Sequence, residues 1–400
     1  MKKRSLLFSA LMLAGVTNVH ALPYGFSDAR SVAMGNVSVA TGGVTTAAFS
    51  NPAMLMVNET DDTFALHIGA GAVFIENGGI TDDIDEFQAI KDQFDSLSKT
   101  DSTDSNAQAL ADSINAQDRL INNLDGDSLL GMASPNIALV YGADSFTVAL
   151  TAEGNAYASG LVEVASPLPT DYTAQDIKDE IAGSGALVLD PDAQLKSIGV
   201  ITTELGVSIA SNFSVLGMDV SAGVRPKVIS AEAISRDYDI SVFDTEDIVD
   251  DTAQDLGSFT TLDAGVAIGV TDSIRVGMVA KNLISKTLTV DTKDIEFNTQ
   301  LRVGAAYNNS FMTIAADMDL TESDPVQNED ASRMLALGVE LNAFDFVQLR
   351  AGYQTNMASG ASSDDLISAG VGLWLGFNLD IAAVVSEDSV GAFVQTGFHF

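Results

Sequence analysis

The chain contains no cysteine, a single tryptophan and seven tyrosines in 400 residues, and 19 Lys and Arg stand against 55 Asp and Glu. Without cysteine there is no disulfide scaffold, no thiol chemistry and no cysteine-ligated zinc. A formal net charge of -36 makes a poor nucleic-acid binder, because phosphate contacts need clustered Lys and Arg. Beyond the N-terminus no run of about 18 apolar residues occurs, which excludes a helical membrane protein. The motifs G-x-S-x-G, H-E-x-x-H and the P-loop are missing. Past the first twenty residues the only histidines are His67 and His399. No enzyme, no cofactor and no metal ligand set is expected from this inventory.

What is present is unusual for so acidic a chain. Hydrophobic residues make up 46% and mean hydropathy is +0.20, whereas high net charge normally accompanies low hydrophobicity and disorder. The first residues are an export address. Lys2, Lys3 and Arg4 precede an apolar stretch from Ser5 to Val16, followed by Val19-His20-Ala21. This pattern reads as a secretory signal peptide over residues 1–21, cleaved after Ala21, with an apolar run too short to span a bilayer. The expected destination is the envelope of a Gram-negative bacterium.

Most of the remaining chain alternates with period two. Leu262, Ala264, Val266, Ile268 and Val270 share one face, and Asp263, Gly265, Ala267 and Gly269 the other. Ile274, Val276, Met278 and Ala280 oppose Arg275, Gly277, Val279 and Lys281 in the same way. One face is greasy and the other is small or charged. These segments exceed the usual soluble strand of about 5 to 6 residues and fit a membrane-spanning strand of about 9 to 11. The reading is an all-β protein: a 14-stranded antiparallel transmembrane β-barrel over residues 62–400. Its strands are expected at 63–76, 134–143, 144–154, 196–211, 212–229, 258–271, 272–287, 296–308, 309–321, 332–344, 345–355, 365–376, 378–386 and 391–400. Tight turns near Gly142-Ala143-Asp144, Ser211-Asn212, Thr271-Asp272, Asn308-Asn309, Phe344-Asp345 and Gly376-Phe377-Asn378 alternate with longer connections. Short turns on one side and long loops on the other mark an outer-membrane barrel, both termini falling on the periplasmic side.

Two long connections interrupt the pattern. In 77–133, Ile84, Phe87, Ile90, Phe94 and Leu97 recur at helical spacing, as do Leu110, Ile114, Ile121 and Leu124, so a helical hairpin is expected above the barrel. In 155–195 a short helix is expected from Ala174 to Ile181, introduced by Thr173. Negative charge gathers in these loops. Loop 77–133 holds twelve acidic residues against three basic, 155–195 seven against one, and 230–257 nine against one. Asp82-Asp83-Ile84-Asp85-Glu86 and the run Asp244 to Asp251 suit either solvation or divalent cations, which also bridge lipopolysaccharide.

The inward face of the barrel is mixed. Arg225, Lys227, Arg275, Lys281, Arg302 and Arg350 face Asp219, Asp263, Asp317, Asp319, Glu340 and Asp380, six of each sign. Such charges can pair and fill a lumen or line a conduction path. Trp374 is placed inside, since Leu373 and Leu375 face lipid. Gly69-Ala70-Gly71 and Gly370-Val371-Gly372 read as close-packing or bend positions. Phe64, Phe74, Tyr141, Tyr353 and Phe398 are the candidates for a thin aromatic belt. The last strand places Ala392, Val394, Thr396, Phe398 and Phe400 on one face, and the chain ends on Phe400. An aromatic terminus of this kind resembles the signal read by the bacterial barrel-assembly machinery.

Residues 22–61 are too irregular to span. They read Ala29-Arg30-Ser31-Val32-Ala33-Met34-Gly35-Asn36 and then Ala47-Ala48-Phe49-Ser50-Asn51-Pro52-Ala53-Met54-Leu55. This resembles the N-terminal hatch of the FadL/TodX superfamily of outer-membrane transporters. Within it, the helical insertion and acidity are similar to conjugal-transfer TraF-like outer-membrane proteins. The resemblance implies a 14-stranded barrel closed by a hatch, Asn51-Pro52-Ala53 lying in the lumen, and a hydrophobic or amphipathic ligand. Two functions are therefore expected: a passive channel for small hydrophobic or amphipathic molecules, or a surface-interaction protein associated with conjugal transfer that displays acidic helical loops.

Overall fold

The computed structural model describes residues 25–57, 63–77, 79–166, 168, 171–187, 192–241, 253–291, 293–323, 331–343, 346–359, 365–387 and 389–400. The signal peptide and the run Asp244 to Asp251 lie outside the described residues. The wall is built from β1 (Phe64–Asn77), β2 (Ser128–Ala133), β3 (Asn136–Ala143), β4 (Phe146–Ser166), β5 (Asp192–Val215), β6 (Met218–Asp239), β7 (Gln254–Gly269) and β8 (Ile274–Lys281). A hairpin of β9 (Lys286–Val290) and β10 (Lys293–Phe297) follows, forming its own small sheet. The wall continues with β11 (Gln300–Asn308), β12 (Met312–Asp319), β13 (Met334–Ala343), β14 (Val347–Asn356), β15 (Leu366–Trp374), β16 (Asn378–Val385) and β17 (Ser389–His399).

Each strand pairs antiparallel with its neighbours, and β1 closes on β17 from Ala65 opposite His399 to Ile75 opposite Ser389. β2 and β3 are one strand interrupted at Ser134-Pro135, for both pair with β1 and with β4 without a register slip. Gly154 donates to Pro135 O at 2.8 Å, and Pro135 has no N–H to return the bond. The result is a closed 14-stranded antiparallel barrel, as the alternation indicated. Along β6, Arg225, Lys227 and Ile229 are buried while Val224, Pro226 and Val228 are exposed. The apolar face is the outer one, as lipid demands.

Several strand limits differ from the sequence reading. β4 runs to Ser166 and β5 begins at Asp192, so much of the expected insertion 155–195 is wall. The turn expected at Ser211-Asn212 lies at Leu216-Gly217, where both residues adopt positive φ. The strand expected over 272–287 stops at Lys281, and the loop expected at 288–295 belongs to the β9–β10 hairpin. The upper limits share one cause, while the shifted turn reflects β5 and β6 projecting past the tight-turn rim, where residues 211–219 are exposed on both faces. β4, β5 and β6 have 21, 24 and 22 residues, about twice what a bilayer requires. Their upper parts leave the membrane, and there both faces are covered. Inside, Tyr157, Ile198, Val200 and Ile229 pack against Leu288, Val290, Ile295 and Phe297 of the hairpin. Outside, Val162, Ala193, Leu195 and Tyr238 pack against two helices. Alternation, which needs one polar face, is lost when both faces are dry.

Helix α1 is Ala29–Ala33 and α2 is Ala47–Ser50; the external helices are α3 (Ile80–Ser96), α4 (Asp104–Leu124) and α5 (Ala174–Ser184). The expected helical hairpin is α3–α4, and it flanks the extended wall. α5 starts where Thr173 and Asp176 form a reciprocal capping box, which satisfies two orphan donors. The scarce aromatics are concentrated at the tight-turn rim. Phe64 lies 5.3 Å from Tyr141 and 5.9 Å from Phe400, Tyr141 lies 6.5 Å from Phe146, and Phe377 stacks on Phe398 at 5.4 Å. One well-populated girdle stands there in place of a thin general belt.

Candidate functional site

Residues 25–57 lie within the barrel and are almost wholly buried. Asp28 caps α1, accepting from Ser31 N at 2.8 Å. The chain reverses at Gly35 and Asn36, both at positive φ. Asn51 is extended and completely buried, accepting from Ala53 N at 3.1 Å and donating to Val39 O at 2.8 Å. Pro52 opens a short 3-10 turn, Pro52–Met56, where its missing N–H costs nothing. Ala53 is fully buried beside it. Met34, Phe49, Met54 and Leu55 are among the most deeply buried side chains, each stabilising the arrangement by about 1.5–3 kcal/mol.

The wall makes room for this segment with glycine. Gly223 faces Gly265 across β6 and β7, Gly277 faces Gly304 across β8 and β11, and Gly338 faces Gly352 across β13 and β14. A Cβ at Gly265 would stand 1.9 Å from Asn51 Oδ1, one at Gly223 2.5 Å from Pro52 C, and one at Gly352 1.9 Å from Gly35 N. Only backbone without side chain permits that approach. Gly370, likewise, has Ala33 Cβ 2.5 Å from its would-be side chain.

Charge is organised in three groups around the segment. In the first, Arg225 lies under Phe49, 5.6 Å from ring centre, with Glu153 at 3.4 Å, Asp263 at 3.6 Å and Glu204 at 3.7 Å. Lys227 bridges Glu204 at 2.9 Å and Asp263 at 3.2 Å. In the second, Arg30 of α1 holds Glu340 through two bonds of 2.9 and 3.1 Å. Arg350 bridges Glu340 at 2.7 Å and Asp380 at 2.6 Å. In the third, Arg302 pairs with Asp319, while Asp317 accepts from the backbone N–H groups of Ser38 and Val39 at 2.6 and 2.9 Å. The charges are mostly paired with one another or with the lumenal segment.

The segment divides the interior. Above it, a cavity of about 110 Å³ is bounded by Phe26, Met132, Tyr157, Phe297 and Phe393 on one side. Glu153, Glu204, Arg225, Lys227 and Lys281 bound the other. Below it, a polar space of about 1020 Å³ reaches the tight-turn rim, bordered by Arg30, Arg275, Glu340, Arg350 and Trp374. Trp374 thus lies inside, at the mouth, 6.3 Å from the ring of His399. Phe398 and Phe400 face outward, and Phe64 exchanges both backbone hydrogen bonds with Phe400.

Among the inward-facing candidates named from alternation, Arg225, Lys227, Asp263, Arg302, Asp317, Asp319, Glu340, Arg350 and Asp380 are buried inside the barrel and Arg275, Lys281 and Trp374 border its cavities, whereas Asp219 is exposed beside the tight turn; the sequence reading also missed partners. Glu153 and Glu204 complete the Arg225 group, and their signal was present: each continues the inward phase of Thr151 and Thr202. Arg30 entered only as part of a pattern, with no hint of Glu340 310 positions away. His67 bonds Asn136 at 2.7 Å, and Asn136 donates to Ser27 O at 2.6 Å. That chain anchors the start of the segment. The acidic run Asp82 to Glu86 forms the first turns of α3, and among the described residues no group of three or more acidic or histidine side chains is arranged to hold a metal.

A family model described as "F plasmid transfer operon, TraF, protein" matches residues 48–319. No curated protein matches the chain. Among solved structures, a TodX deltaS2S3 mutant monoaromatic hydrocarbon channel superposes with a TM-score of 0.51 at 13% identity, over 93% of this chain and 99% of that one. The toluene transporter TbuX of Ralstonia pickettii gives 0.51 at 14% identity, over 94% and 100%. These likenesses establish the barrel fold.

Proposed function

This chain belongs to the family described as F plasmid transfer operon, TraF, protein, and from that premise we propose that it is an outer-membrane channel for small hydrophobic or amphipathic molecules, closed by residues 25–57 acting as a hatch. The observation that carries this reading is the upper cavity. It is small, lies between the segment and the end of the β9–β10 hairpin, and is aromatic on one side and charged on the other. An engineered apolar cavity of about 150 Å³ accepts benzene, so a space of this order suits one ring-sized molecule with a polar group. Ligand sites are typically apolar with a few convergent polar groups. The solved relatives carry names of hydrocarbon and toluene channels, which supports the ligand class. The lipid-facing apolar wall and the aromatic rim support the outer membrane as location, with lipopolysaccharide and lipid as neighbours. In this reading a ligand rests above the hatch, and passage requires the hatch to leave its seat on the glycines.

The absence of native cysteine allows a clean test. A Cβ at Gly397 would sit 3.4 Å from Thr45 Cγ2, close enough for a disulfide once both are cysteine. The double variant Thr45→Cys, Gly397→Cys is expected to lose uptake of a labelled monoaromatic substrate when oxidised and to regain it on reduction. Unchanged uptake in the fully cross-linked protein would sink the gating role. A second reading rests on α3–α4, whose acidic outer surface stands beside the wall, and on the transfer operon in the family description. Neutralising Asp82, Asp85, Glu86 and Asp92 should then lower mating efficiency while leaving uptake intact; equal mating would remove that reading.

A further inference from the structure

The cavity above the lumenal segment is graded along its wall. On the inward face of β4 the side chains run Tyr157, Asn155, Glu153, and on β5 they run Val200, Thr202, Glu204. The register sets Tyr157 opposite Val200, Asn155 opposite Thr202 and Glu153 opposite Glu204. Apart from Val200, all of these border the cavity. Its wall is therefore apolar at the top, neutral and polar in the middle, and charged at the bottom.

The middle level holds hydrogen-bonding capacity that the protein does not use. Ser134 Oγ donates to Asn155 Oδ1 at 3.1 Å, and the amide N–H groups of Asn155 have no partner among the described residues. The Thr202 hydroxyl has none there either, although Thr202 is only 4% exposed. Neither group is sealed by protein, so both open onto the cavity. Buried polar groups are ordinarily satisfied, and here two unused ones stand on directly opposed residues. An amide N–H only donates, whereas a hydroxyl both donates and accepts. A ligand hydroxyl would complete the pair, accepting from Asn155 and bonding the Thr202 hydroxyl.

The bottom level sets the charge that such a ligand can carry. Arg225 and Lys227 lie among Glu153, Glu204 and Asp263. Lys281, at the same cavity, acts electrostatically on both glutamates. Three cations thus balance three anions. An ionised ligand would add an uncompensated charge where desolvation is costly. A phenolic hydroxyl, with a pKa of about 10, stays neutral at neutral pH.

We propose that this cavity selects neutral monocyclic phenols, the ring lying at the Tyr157 and Phe297 end and the hydroxyl between Asn155 and Thr202. The inference rests on the ligand site of the channel reading and narrows its ligand class. Benzene matches the ring but leaves both polar groups bare, and displacing water from such groups without replacing its bonds loses affinity. Benzoate matches the ring but brings a full charge.

The test is equilibrium dialysis of labelled phenol, benzene and benzoate against the full chain in detergent micelles, with protein-free micelles as the blank. Phenol is expected to bind about thirtyfold tighter than benzene, from two neutral hydrogen bonds worth about fivefold each. Benzoate is expected to bind at least about tenfold weaker than phenol. Thr202→Val, which keeps the branched shape, should cut the preference for phenol over benzene about fivefold. Thr202→Ser should restore most of it, and heat-modifiable gel mobility reports whether both variants fold. Equal binding of phenol and benzene, or a preference that survives Thr202→Val, would overturn the hydroxyl site and leave the channel reading standing. Benzoate binding as tight as that of phenol would overturn the selection for neutral ligands. If none of the three rings binds, the proposal and the ligand site of the channel reading fall together.

Discussion

Arg30 of the lumenal segment and Glu340 of β13 are joined by two hydrogen bonds, 2.9 and 3.1 Å long, across 310 positions of sequence. Arg350 shares the same carboxylate from the wall side. The segment is therefore tied to the wall through a carboxylate that keeps a second cation when Arg30 is removed. Arg30→Gln is expected to loosen the segment without collapsing the barrel, at a cost of about 1.5–3 kcal/mol, the usual worth of hydrogen bonds to a charged group. Faster proteolysis or hydrogen exchange over 29–41, with unchanged heat-modifiable mobility, checks it. Glu340→Gln should cost more, since it deprives both arginines at once. If the two variants proved equally mild, the shared carboxylate would not be the anchor.

The glycine pairs give a steric prediction. Gly265→Ala places a methyl 1.9 Å from Asn51 Oδ1, a separation no real contact tolerates. The expected result is displacement of Asn51-Pro52-Ala53 from its seat, with loss of the Asn51 bond to Val39. Overpacking of this kind costs about 1–3 kcal/mol. Ala305→Gly, on the lipid side of the same wall, should leave the segment in place. Comparing segment protection in the two variants separates close approach from a general weakening of the strands.

How far the sequence disclosed this architecture depends on the solvent each face meets. In the membrane, Val224 and Val228 meet lipid while Arg225 and Lys227 turn inward, so period two reads off directly, and with it the strand count and most lumenal charges. Above the membrane, Val162 packs on a helix and Leu161 is buried as well, so the same strand offers no polar phase and passed for a loop. The Asn-Pro-Ala bend could be read locally because proline and a capping asparagine act within three residues. The Arg30–Glu340 contact could not, because nothing local records which distant strands a closed barrel brings around its contents.

At the seam, Phe400 N donates to Phe64 O at 3.0 Å and Phe64 N donates to Phe400 O at 2.9 Å. The ring of Phe400 stacks on Phe64. Deleting Phe400 removes the first bonded pair of the closing ladder and one member of the aromatic girdle. Assembly should fall: less heat-modifiable protein in the membrane fraction and more in the periplasm. Phe400→Tyr keeps ring and backbone and should assemble normally. Equal assembly of the deletion and the wild type would show that neither the seam bonds nor the terminal ring matters.

Two carboxylates of the external helices should respond to acid in opposite directions. Asp127 joins α4 to β2, where its carbonyl accepts from Val162 N at 3.0 Å. Burial, with the nearby Asp83, pushes its carboxyl above the ordinary aspartate range. A folded-state pKa above the unfolded value means that the folded connection holds more protons, so its stability rises as pH falls through that raised value and levels off below the unfolded value of about 3.9. Asp127→Asn should reproduce the gain at neutral pH. Asp104 starts α4 and takes a hydrogen bond from Lys178 of α5, which lowers its carboxyl. Its contribution is complete above the unfolded value of about 3.9 and is lost only as pH falls through the lower folded value. Hydrogen exchange of the α3–α4 peptides between pH 7 and about 4, corrected for the intrinsic rate, should therefore show increasing protection at the Asp127 end and none at the Asp104 end. A uniform loosening across that range would mean that the joint at Asp127 does not hold the hairpin to the wall.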